Sequence, residues 1–502
     1  MKSLFLTLIL CLFINQILAQ QAKPKLFDYP NELSITKHTT KIGGKSINYV
    51  AKAGTMPLRN ENNELIAHFG FTSYTKEGAD ENRPIMFAYN GGPGSSSFWL
   101  HMGVLGPKRI IVDDPNFNKA APYQIANNDY SILDVTDLVM IDPVGTGLSI
   151  PAGEAEFKDF WGVDQDSRSI SLFITQYLIN EGRMNSPKFL LGESYGTFRN
   201  AVVMNELLSQ GIAMNGVIMV SAVFDLRSLV FPPDDDLPYI VHYPTYAATA
   251  YYHNKVNGEW ADMNEFIAEI RDFTENRYAP ALFKGDQISD KDKAQLAQEL
   301  AHYSGTKADY WLKSNLRVTN GEFFAEFLRD EGKTVGRLDS RYTGYSEDGI
   351  AQNGAYDPQS SAISPAYIQG FLNYFHGELG VSKNLMYTVT AGRRKSFKWD
   401  WSHRGNEGWG GAMMAVNTGP DMAEAMIKDP NMKVLILNGY LDIATVFYGV
   451  EYSINHLGLP NDVKKNIIMK YYEAGHMMYT DQNSLEQFKM DVSSFMNDIL
   501  ER

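Results

Sequence analysis

Short runs of apolar residues that end in glycine-rich loops recur along this chain. Residues 83–89 and 137–141 form two such runs, and the loops that follow them contain several glycines. A strand that is buried on both faces is apolar throughout, as in the middle of a parallel sheet. Comparable runs occupy residues 189–191, 216–221, 432–437 and 466–472. The pattern predicts an α/β fold with a mostly parallel central sheet.

Other periodicities predict the elements around this sheet. Residues 22–79 contain alternating apolar and polar positions and a Gly43-Gly44 turn, which predicts paired strands. Residues 161–179 have the apolar spacing of an amphipathic helix, and further helices are expected at 446–457 and from Ser484 onward.

The regular series of apolar runs stops after Asp225 and resumes near residue 430. The intervening residues 226–429 are rich in tyrosine, tryptophan and phenylalanine, and Ser289 is placed to cap a helix over 291–302. We interpret residues 226–429 as a large helical lid inserted into the core. The core itself is then divided into residues 21–225 and 430–502.

Residues 1–20 have the pattern of a secretory signal peptide. Lys2 precedes a short apolar stretch, and Ala19 is a small residue suited to cleavage. The only cysteine, Cys11, lies in this segment, so the mature chain is expected to contain no disulfide. The sequence therefore predicts an exported protein, periplasmic or secreted, and no later apolar run is long enough to span a membrane.

Charge and motif content exclude several functions. The formal net charge is −14 at pH 7, and an acidic protein repels nucleic-acid phosphates. No His-Glu-x-x-His or other metal-binding spacing occurs. The sequence therefore predicts no nucleic-acid partner, no metal and no cofactor.

The strongest chemical signal is Gly192-Glu-Ser-Tyr-Gly196, which matches Gly-x-Ser-x-Gly. An apolar run precedes it, and residues 197–209 have helical spacing. A strand, a sharp turn and a helix are the context in which this motif is a nucleophile elbow. The pattern predicts that Ser194 is a catalytic nucleophile.

Two further residues follow later strands of the predicted sheet. Asp442 comes after the run 432–437, and His476 comes after the run 466–472. A serine hydroxyl needs an imidazole to take its proton, and the imidazole needs a carboxylate to orient it. The order Ser194, Asp442, His476 is the chain order of the α/β-hydrolase triad. Taken singly, Asp442 is also a plausible helix cap and His476 an ordinary surface histidine.

The loop Asn90-Gly-Gly-Pro-Gly follows an early strand, where α/β-hydrolases place one amide of the oxyanion hole. We expect the N–H groups of Gly92 and Tyr195 to form this hole. A plain glycine turn is the alternative interpretation of the loop.

Five motifs together carry a family resemblance: Asn90-Gly-Gly-Pro-Gly, Asp142-Pro-Val-Gly-Thr-Gly, Gly192-Glu-Ser-Tyr-Gly, Asn438-Gly-x-x-Asp442 and Ala474-Gly-His-Met477. Their order resembles the serine carboxypeptidase family of the α/β-hydrolase fold. The resemblance implies hydrolysis of C-terminal residues from peptides, with Ser194 as nucleophile and Asp442 and His476 as its partners.

The resemblance also implies that Asn90 and Glu193 bind the free α-carboxylate of the substrate. Glu193 can donate a hydrogen bond only when it is protonated, and burial favours that form. This chain departs from the family at Ala88, where a tryptophan is usual, and at Ser95, where a disulfide-bonded cysteine is usual. Val104 stands where a glutamate commonly pairs with Glu193, which leaves acid preference and exopeptidase specificity open.

Two other functions remain open at this stage. The same triad serves esterases, acyltransferases and prolyl aminopeptidase-like enzymes, although Asn90 replaces the histidine of the last group's His-Gly-Gly-Pro-Gly loop. A binding scaffold without activity usually lacks a triad residue, and none is missing here. The sequence leaves the residue preference and the oligomeric state open.

Overall fold

The protein is described by a computed structural model that covers residues 32–80, 82–403 and 416–501. The predicted signal peptide and Cys11 lie outside the described residues. Within the described ranges, no helix combines the length and the apolar character that a membrane span requires.

The strands of the described chain fall into one large sheet and two small hairpins. In chain order they are β1 (Leu33–Ile42), β2 (Lys45–Arg59), β3 (Leu65–Lys76), β4 (Ile85–Tyr89), β5 (Lys108–Ile110), β6 (Ile125–Asn127), β7 (Asp137–Ile141), β8 (Ile150–Pro151), β9 (Lys188–Glu193), β10 (Gly216–Val220), β11 (Lys333–Val335), β12 (Thr343–Tyr345), β13 (Lys433–Gly439) and β14 (Ile467–Tyr472).

The α-helices of four or more residues lie between and after these strands. Those in the described ranges are α1 (Val163–Asn180), α2 (Tyr195–Ser209), α3 (Leu237–Tyr252), α4 (Met263–Phe273), α5 (Ala279–Phe283), α6 (Asp290–Ser304), α7 (Ala308–Lys313), α8 (Asn320–Phe327), α9 (Pro358–Gly377), α10 (Gly419–Lys428), α11 (Phe447–Asn455), α12 (Asn461–Lys464) and α13 (Gln482–Leu500).

The large sheet has 10 strands in the order β1-β2-β3-β7-β4-β9-β10-β13-β14, with β8 paired to β3. The strands β1, β2, β3 and β7 are antiparallel neighbours. From β7 to β14 every neighbouring pair is parallel. The prediction of an α/β-hydrolase fold with a mostly parallel sheet is therefore confirmed.

The apolar character of the central strands follows from burial on both faces. In β4, Met86 and Ala88 pack into the apolar cluster that α9 and α13 cover. Phe87 and Tyr89 point to the opposite face and pack with α1 and α2. Because side chains alternate along a strand, both faces must be apolar when helices cover both sides.

The first hairpin shows how local sequence determines register. Ile42 pairs with Lys45, so the loop between β1 and β2 is the two residues Gly43 and Gly44. Their φ angles are 55° and 78°. A two-residue turn with both φ angles positive favours glycine and matches the twist of the strands it joins.

Residues of the segment 226–429 belong to several different apolar clusters. Helices α3 to α8 and residues after β13 share one apolar cluster. Helix α9 contributes Tyr367 and Phe371 to the cluster on one face of the sheet, and α10 contributes Met422 and Met426 to the cluster on the other face. The assignment of 226–429 as a lid, with boundaries at 225 and 429, stays a prediction.

Parallel strands place their carboxyl ends at the same edge of the sheet. The loops that follow β4, β9, β13 and β14 therefore meet there, although they are far apart in the chain. This edge carries Asn90, Ser194, Asp442 and His476, and α/β folds bind ligands at such an edge.

Candidate active site

Ser194 occupies a sharp turn between β9 and α2. Its φ and ψ angles are 60° and −130°, a conformation that non-glycine residues rarely adopt. A Cβ atom at Gly192 would lie 2.2 Å from the Gly196 carbonyl oxygen, and a Cβ atom at Gly196 would lie 2.9 Å from that of Tyr89. Both glycines are thus required for the close packing that exposes a serine on this turn.

Asp442 and His476 form a hydrogen-bonded pair. His476 Nδ1 lies 2.7 Å from Asp442 Oδ2, and neither side chain is more than 7% exposed. The Ala444 and Thr445 N–H groups donate to Asp442 Oδ1, at 2.8 and 3.0 Å. Thr445 Oγ1 donates to Oδ2 at 2.7 Å. These donors satisfy an ionised carboxylate, which is the form that orients an imidazole and offsets its charge.

Ser221, at the end of β10, holds the main chain of His476. It is buried with a φ angle of 49°, which costs a non-glycine residue about 1–2 kcal/mol. Its hydroxyl donates to the His476 carbonyl oxygen at 2.6 Å, and its own carbonyl oxygen lies 3.0 Å from Thr445 Oγ1. Ser221 therefore connects the loops that carry Asp442 and His476.

Residues of the segment 226–429 support the same loop from its other side. The His476 N–H donates to the Leu338 carbonyl at 2.6 Å, and the Gly475 N–H donates to Asp339 Oδ2 at 3.1 Å. Asp339 is itself paired with Arg341, whose Nη2 lies 2.6 Å from Oδ2. A Cβ atom at Gly475 would lie 2.4 Å from Asp339 Cβ, so glycine is required for this contact.

Hydrogen bonds at the end of strand β10 hold the main chains of both Ser194 and His476. The Ser194 N–H donates to the carbonyl of Val220, and the adjacent Ser221 bonds to His476. Within the described residues no hydrogen bond joins Ser194 Oγ to the imidazole. Because Nδ1 faces Asp442, Nε2 is the nitrogen left to accept a proton, and such contacts often tighten only when substrate binds.

The charge of His476 is governed by the carboxyls around it. Burial disfavours the charged imidazole, and Arg337 acts in the same direction. Attraction by Asp442, the hydrogen bond to it and the charge of Glu193 outweigh these effects and raise the pKa of His476 above its ordinary value. A carboxylate-paired imidazole that holds a proton more strongly suits a base that takes the proton of a serine.

The glycine loop after β4 packs against the start of helix α2. A Cβ atom at Gly91 would lie 2.4 Å from the Tyr195 nitrogen, so only glycine leaves that N–H accessible. Gly92 has a φ angle of 111°, which also favours glycine. Within the described residues neither the Gly92 nor the Tyr195 N–H donates a hydrogen bond. Two free amides beside Ser194 are what an oxyanion hole requires.

Arg199 fixes this loop from beneath. It is fully buried on α2, where Nε donates to Asp166 Oδ2 at 2.6 Å and Nη1 donates to the Asn90 carbonyl at 2.9 Å. Its guanidinium carbon lies 4.9 Å from the Tyr89 ring centroid and 5.3 Å from that of Tyr195. A buried, paired and stacked arginine is a rigid support for the glycine loop.

Asn90 and Glu193 are in direct contact. Asn90 Nδ2 donates to Glu193 Oε1 at 2.9 Å, and Leu100 N–H donates to Asn90 Oδ1 at 3.0 Å, which fixes the orientation of the amide. The Tyr479 hydroxyl donates to the other oxygen of Glu193 at 2.7 Å. Glu193 therefore has a partner on each oxygen.

Glu193 holds its proton more strongly than an ordinary glutamate. Burial raises the pKa of Glu193 to about 7, and the charge of Asp442 acts in the same direction. The charge of His476 and the hydrogen bonds from Tyr479 and Asn90 lower this pKa but do not offset the burial. A carboxyl with such a pKa is protonated, and can donate, in acidic solution, and it loses its proton as the pH rises through about 7.

The structure brings the sequence-predicted residues Asn90, Gly92, Glu193, Ser194, Tyr195, Asp442 and His476 to one edge of the sheet. Sequence reasoning missed the supporting residues Arg199, Ser221, Asp339, Thr445 and Tyr479. Thr445 lies three positions after Asp442, and Tyr479 lies three positions after His476. This closeness in the chain is the one signal in the sequence that points to either supporting residue. In the part of the chain that is described, no cluster of three His, Cys, Asp or Glu residues could hold a metal ion.

Comparisons with solved structures give low similarities. A proline iminopeptidase from Mycobacterium smegmatis aligns at a TM-score of 0.37 and 13% identity, over 89% of this chain and 98% of its own. A putative lipase from Sulfolobus solfataricus aligns at a TM-score of 0.36 and 11% identity, over 93% and 99%. Neither similarity bears on function.

Sequence comparisons are more specific. The pheromone-processing carboxypeptidase KEX1 of Saccharomyces cerevisiae (strain JAY291) is 29% identical over 177 residues, which are 32% of this chain and 23% of that relative. The match therefore spans less than a quarter of the relative's length. The family model described as serine carboxypeptidase matches residues 45–493, nearly the whole described chain. The chain belongs to the serine carboxypeptidase family, a family of peptide hydrolases.

Proposed function

We propose that this protein is an exported serine carboxypeptidase that removes C-terminal residues from peptides. The observation that carries the proposal is the adjacency of two sites. Ser194, with Asp442 and His476, supplies a nucleophile, and the preceding Glu193, bonded to Asn90, supplies a group that can hold a carboxylate. A nucleophile next to a carboxylate-binding pair favours cleavage at the end of a chain.

In the first step Ser194 Oγ attacks the carbonyl carbon of the last peptide bond. His476 Nε2 takes the serine proton, and Asp442 keeps the imidazole in the required tautomer. The carbonyl oxygen becomes an oxyanion in the tetrahedral intermediate. The N–H groups of Gly92 and Tyr195 are positioned to donate to it.

The intermediate collapses when the peptide C–N bond breaks. The imidazolium of His476 gives its proton to the leaving amine, and the free C-terminal amino acid departs. The rest of the peptide remains as an ester on Ser194. Water then attacks this ester with His476 as base, which regenerates the serine and releases the shortened peptide.

Glu193 and Asn90 provide the proposed selection for a chain end. Asn90 Nδ2 has a second hydrogen besides the one donated to Glu193, and protonated Glu193 has one of its own. Both can be donated to the α-carboxylate of a substrate. A C-terminal amide or an internal peptide bond has no carboxylate at this position, so it loses both contacts.

Export is the least direct part of the proposal. It is supported by the signal-peptide pattern of residues 1–20. The relative named above is described as pheromone-processing, which is consistent with peptides as substrates of this chain.

The test compares a peptide that has a free C-terminus with its C-terminal amide. We expect the free acid to be cleaved with a kcat/KM at least 10-fold higher, because two charge-assisted hydrogen bonds are lost in the amide. Equal rates would contradict carboxylate selection. A matched peptide with a blocked N-terminus should be cleaved equally well, whereas an aminopeptidase would not cleave it.

Ser194→Ala separates the chemistry from the binding. We expect this variant to lose nearly all activity, on the order of 10⁵-fold or more in kcat, while it still binds the free-acid peptide. A serine-directed fluorophosphonate should label the unmodified protein and not the variant. Unchanged turnover in the variant would contradict Ser194 as nucleophile.

A further inference from the structure

Two neutral side chains donate hydrogen bonds to the carboxyl group of Glu193 and fix its orientation. Asn90 Nδ2 lies 2.9 Å from Oε1, and the Tyr479 hydroxyl lies 2.7 Å from Oε2. The residue is 3% exposed, and within the described residues no main-chain N–H donates to its carboxyl group. Loss of either side chain would leave one buried carboxyl oxygen without a donor.

Tyr479 is held in place by the turn that follows His476. Met478–Thr480 forms one turn of 3-10 helix, closed by the Thr480 N–H donating to the Met477 carbonyl at 2.9 Å. Thr480 Oγ1 donates to Asp114 Oδ1 at 2.8 Å, which anchors the end of the turn. The tyrosine is therefore part of the same rigid loop that carries the imidazole.

The Tyr479 ring occupies space that the segment after β4 leaves open. A Cβ atom at Gly103 would lie 2.3 Å from the ring, so only glycine allows the ring to pass. The family resemblance implied a glutamate partner for Glu193 at the next position, where this chain has Val104. Its side chain is fully buried and cannot donate a hydrogen bond. Oε2 of Glu193 receives its hydrogen bond from Tyr479 instead.

We propose that Tyr479 is the positioning residue of Glu193. Its hydroxyl holds one oxygen of Glu193, so that the other side of the carboxyl can reach the α-carboxylate of the substrate. This inference rests on the carboxypeptidase activity proposed above. In this role Tyr479 contacts Glu193 and does not contact the reacting atoms.

The titratable groups that face Glu193 come from several elements. They are His476 and Asp442 in the loops after β14 and β13, Tyr367 on α9, and Tyr479 itself. Burial sets the high pKa of Glu193, and the hydrogen bond from Tyr479 lowers it. Removing the hydroxyl should therefore raise the pH at which Glu193 loses its proton.

The experiment measures kcat and KM of Tyr479→Phe on a free-acid peptide and on its amide between pH 5 and pH 9. At pH 6 we expect the KM for the free acid to rise roughly 10-fold, because one hydrogen bond to the carboxyl is lost. We expect kcat to stay within about twofold and amide cleavage to be unchanged. The pH above which kcat/KM declines, its alkaline limit, should rise by about half a pH unit or more.

Tyr472→Phe is the matched control. Tyr472 is also a buried tyrosine whose hydroxyl donates to a carboxylate, Asp491 Oδ2 at 2.8 Å, and no contact links it to Glu193. This control should leave KM and the pH profile unchanged. An equal change in both variants, or an equal loss on acid and amide substrates, would show that the Tyr479 hydroxyl serves stability alone and would overturn the proposal.

If the phenylalanine variant does not fold, Tyr479 can instead be replaced by 3-fluorotyrosine. This replacement keeps the ring and the hydrogen bond. The fluorinated hydroxyl is a stronger acid and a stronger donor, so it favours ionised Glu193. The alkaline limit should then move down, opposite to the shift in Tyr479→Phe. An unchanged limit would overturn the proposal.

The two proposals fail in different ways. If the unmodified protein cleaves the free acid and the amide equally, the carboxypeptidase assignment fails. If it prefers the free acid and Tyr479→Phe retains the same KM and pH limit, the assignment stands and the role of Tyr479 is wrong.

Discussion

Asp442 and Glu193 are two buried carboxyl groups at the same edge of the sheet, and their surroundings differ. Asp442 accepts from two main-chain N–H groups, from Thr445 Oγ1 and from His476. Glu193 accepts from two neutral side chains, Asn90 and Tyr479, and burial raises its pKa to about 7. The donors around Asp442 suit an anion, whereas those around Glu193 do not offset the burial that raises its pKa.

The difference suits the two roles proposed for these acids. A carboxylate that orients an imidazole must be charged, whereas a carboxyl that binds a substrate carboxylate must carry a proton. Glu193 ends strand β9, Asp442 follows strand β13, and both are nearly inaccessible to water. The two carboxyl groups differ in the number and type of their hydrogen-bond donors and not in burial alone.

The largest expected effect comes from Asp442→Asn. The amide cannot hold the imidazole in the right tautomer, so kcat should fall on the order of 10⁴-fold. The ratio of kcat/KM values for free-acid and amide peptides should stay as in the unmodified protein, provided that residual cleavage is measured with purified variant. A change in this ratio would contradict separate roles for the two carboxyl groups.

Asp339→Ala tests whether the inserted segment supports the Asp442 side of the site. The loop at Gly475 would lose a side-chain acceptor, and displacement of His476 by about 1 Å should cost about 10²-fold in kcat. Steady-state kinetics with a thermal-unfolding measurement checks this. Asp236→Ala removes an ion pair with Arg317 in the same segment and serves as the control, for which kcat should not change.

Glu193→Gln tests the protonated role of the other carboxyl. Glutamine carries an N–H donor at every pH, so the KM for a free-acid peptide should become independent of pH. In the unmodified protein Glu193 loses its proton as the pH rises through about 7, and KM should then increase by up to about 10-fold per pH unit. At pH 9 the variant should therefore have a KM about 10-fold to 100-fold lower than the unmodified protein.

The reverse holds in acid, where the neutral carboxyl is a stronger donor than an amide. At pH 5.5 we expect Glu193→Gln to have the higher KM, so the two KM curves should cross. Parallel curves would show that Glu193 does not bind substrate through its proton. Cleavage of the C-terminal amide, measured at each pH, corrects for the titration of His476.

The smallest expected effect comes from Thr445→Val, which removes one of the donors to Asp442. A hydrogen bond to a charged group contributes about 1.5–3 kcal/mol, and the remaining donors compensate in part, so kcat should fall about 10-fold. Thr445→Ser keeps the hydroxyl and should retain most of the activity. An equal loss in both variants would indicate a packing role for the threonine methyl group.

Much of the fold was predictable because its signals are local. The apolar runs of β4, β7, β9 and β10 match strands that are buried on both faces. Helix ends were predicted less well: α1 begins at Val163 and not at residue 161, and α13 begins at Gln482, capped by Asp481. A cap depends on the conformation of one residue, which periodicity does not report.

The candidate site was predictable in part for the same reason. Ser194 lies in a motif whose glycines have a steric purpose, and Asp442 and His476 follow apolar strands in a recognisable order. Tyr479 and Asp339 have no such motif. Their importance follows only from contacts with Glu193 and with Gly475, made across 286 and 136 positions of the chain.

The sequence by itself determined the sheet, the turn at Ser194 and the positions of Asp442 and His476. Each depends on residues that are close together in the chain, where steric rules and apolar periodicity act directly. The tertiary structure alone decided which group satisfies Oε2 of Glu193 and which segment supports His476. Such pairings depend on which distant side chains reach one buried atom, because a buried polar group takes whatever donor the packed chain brings within hydrogen-bond distance.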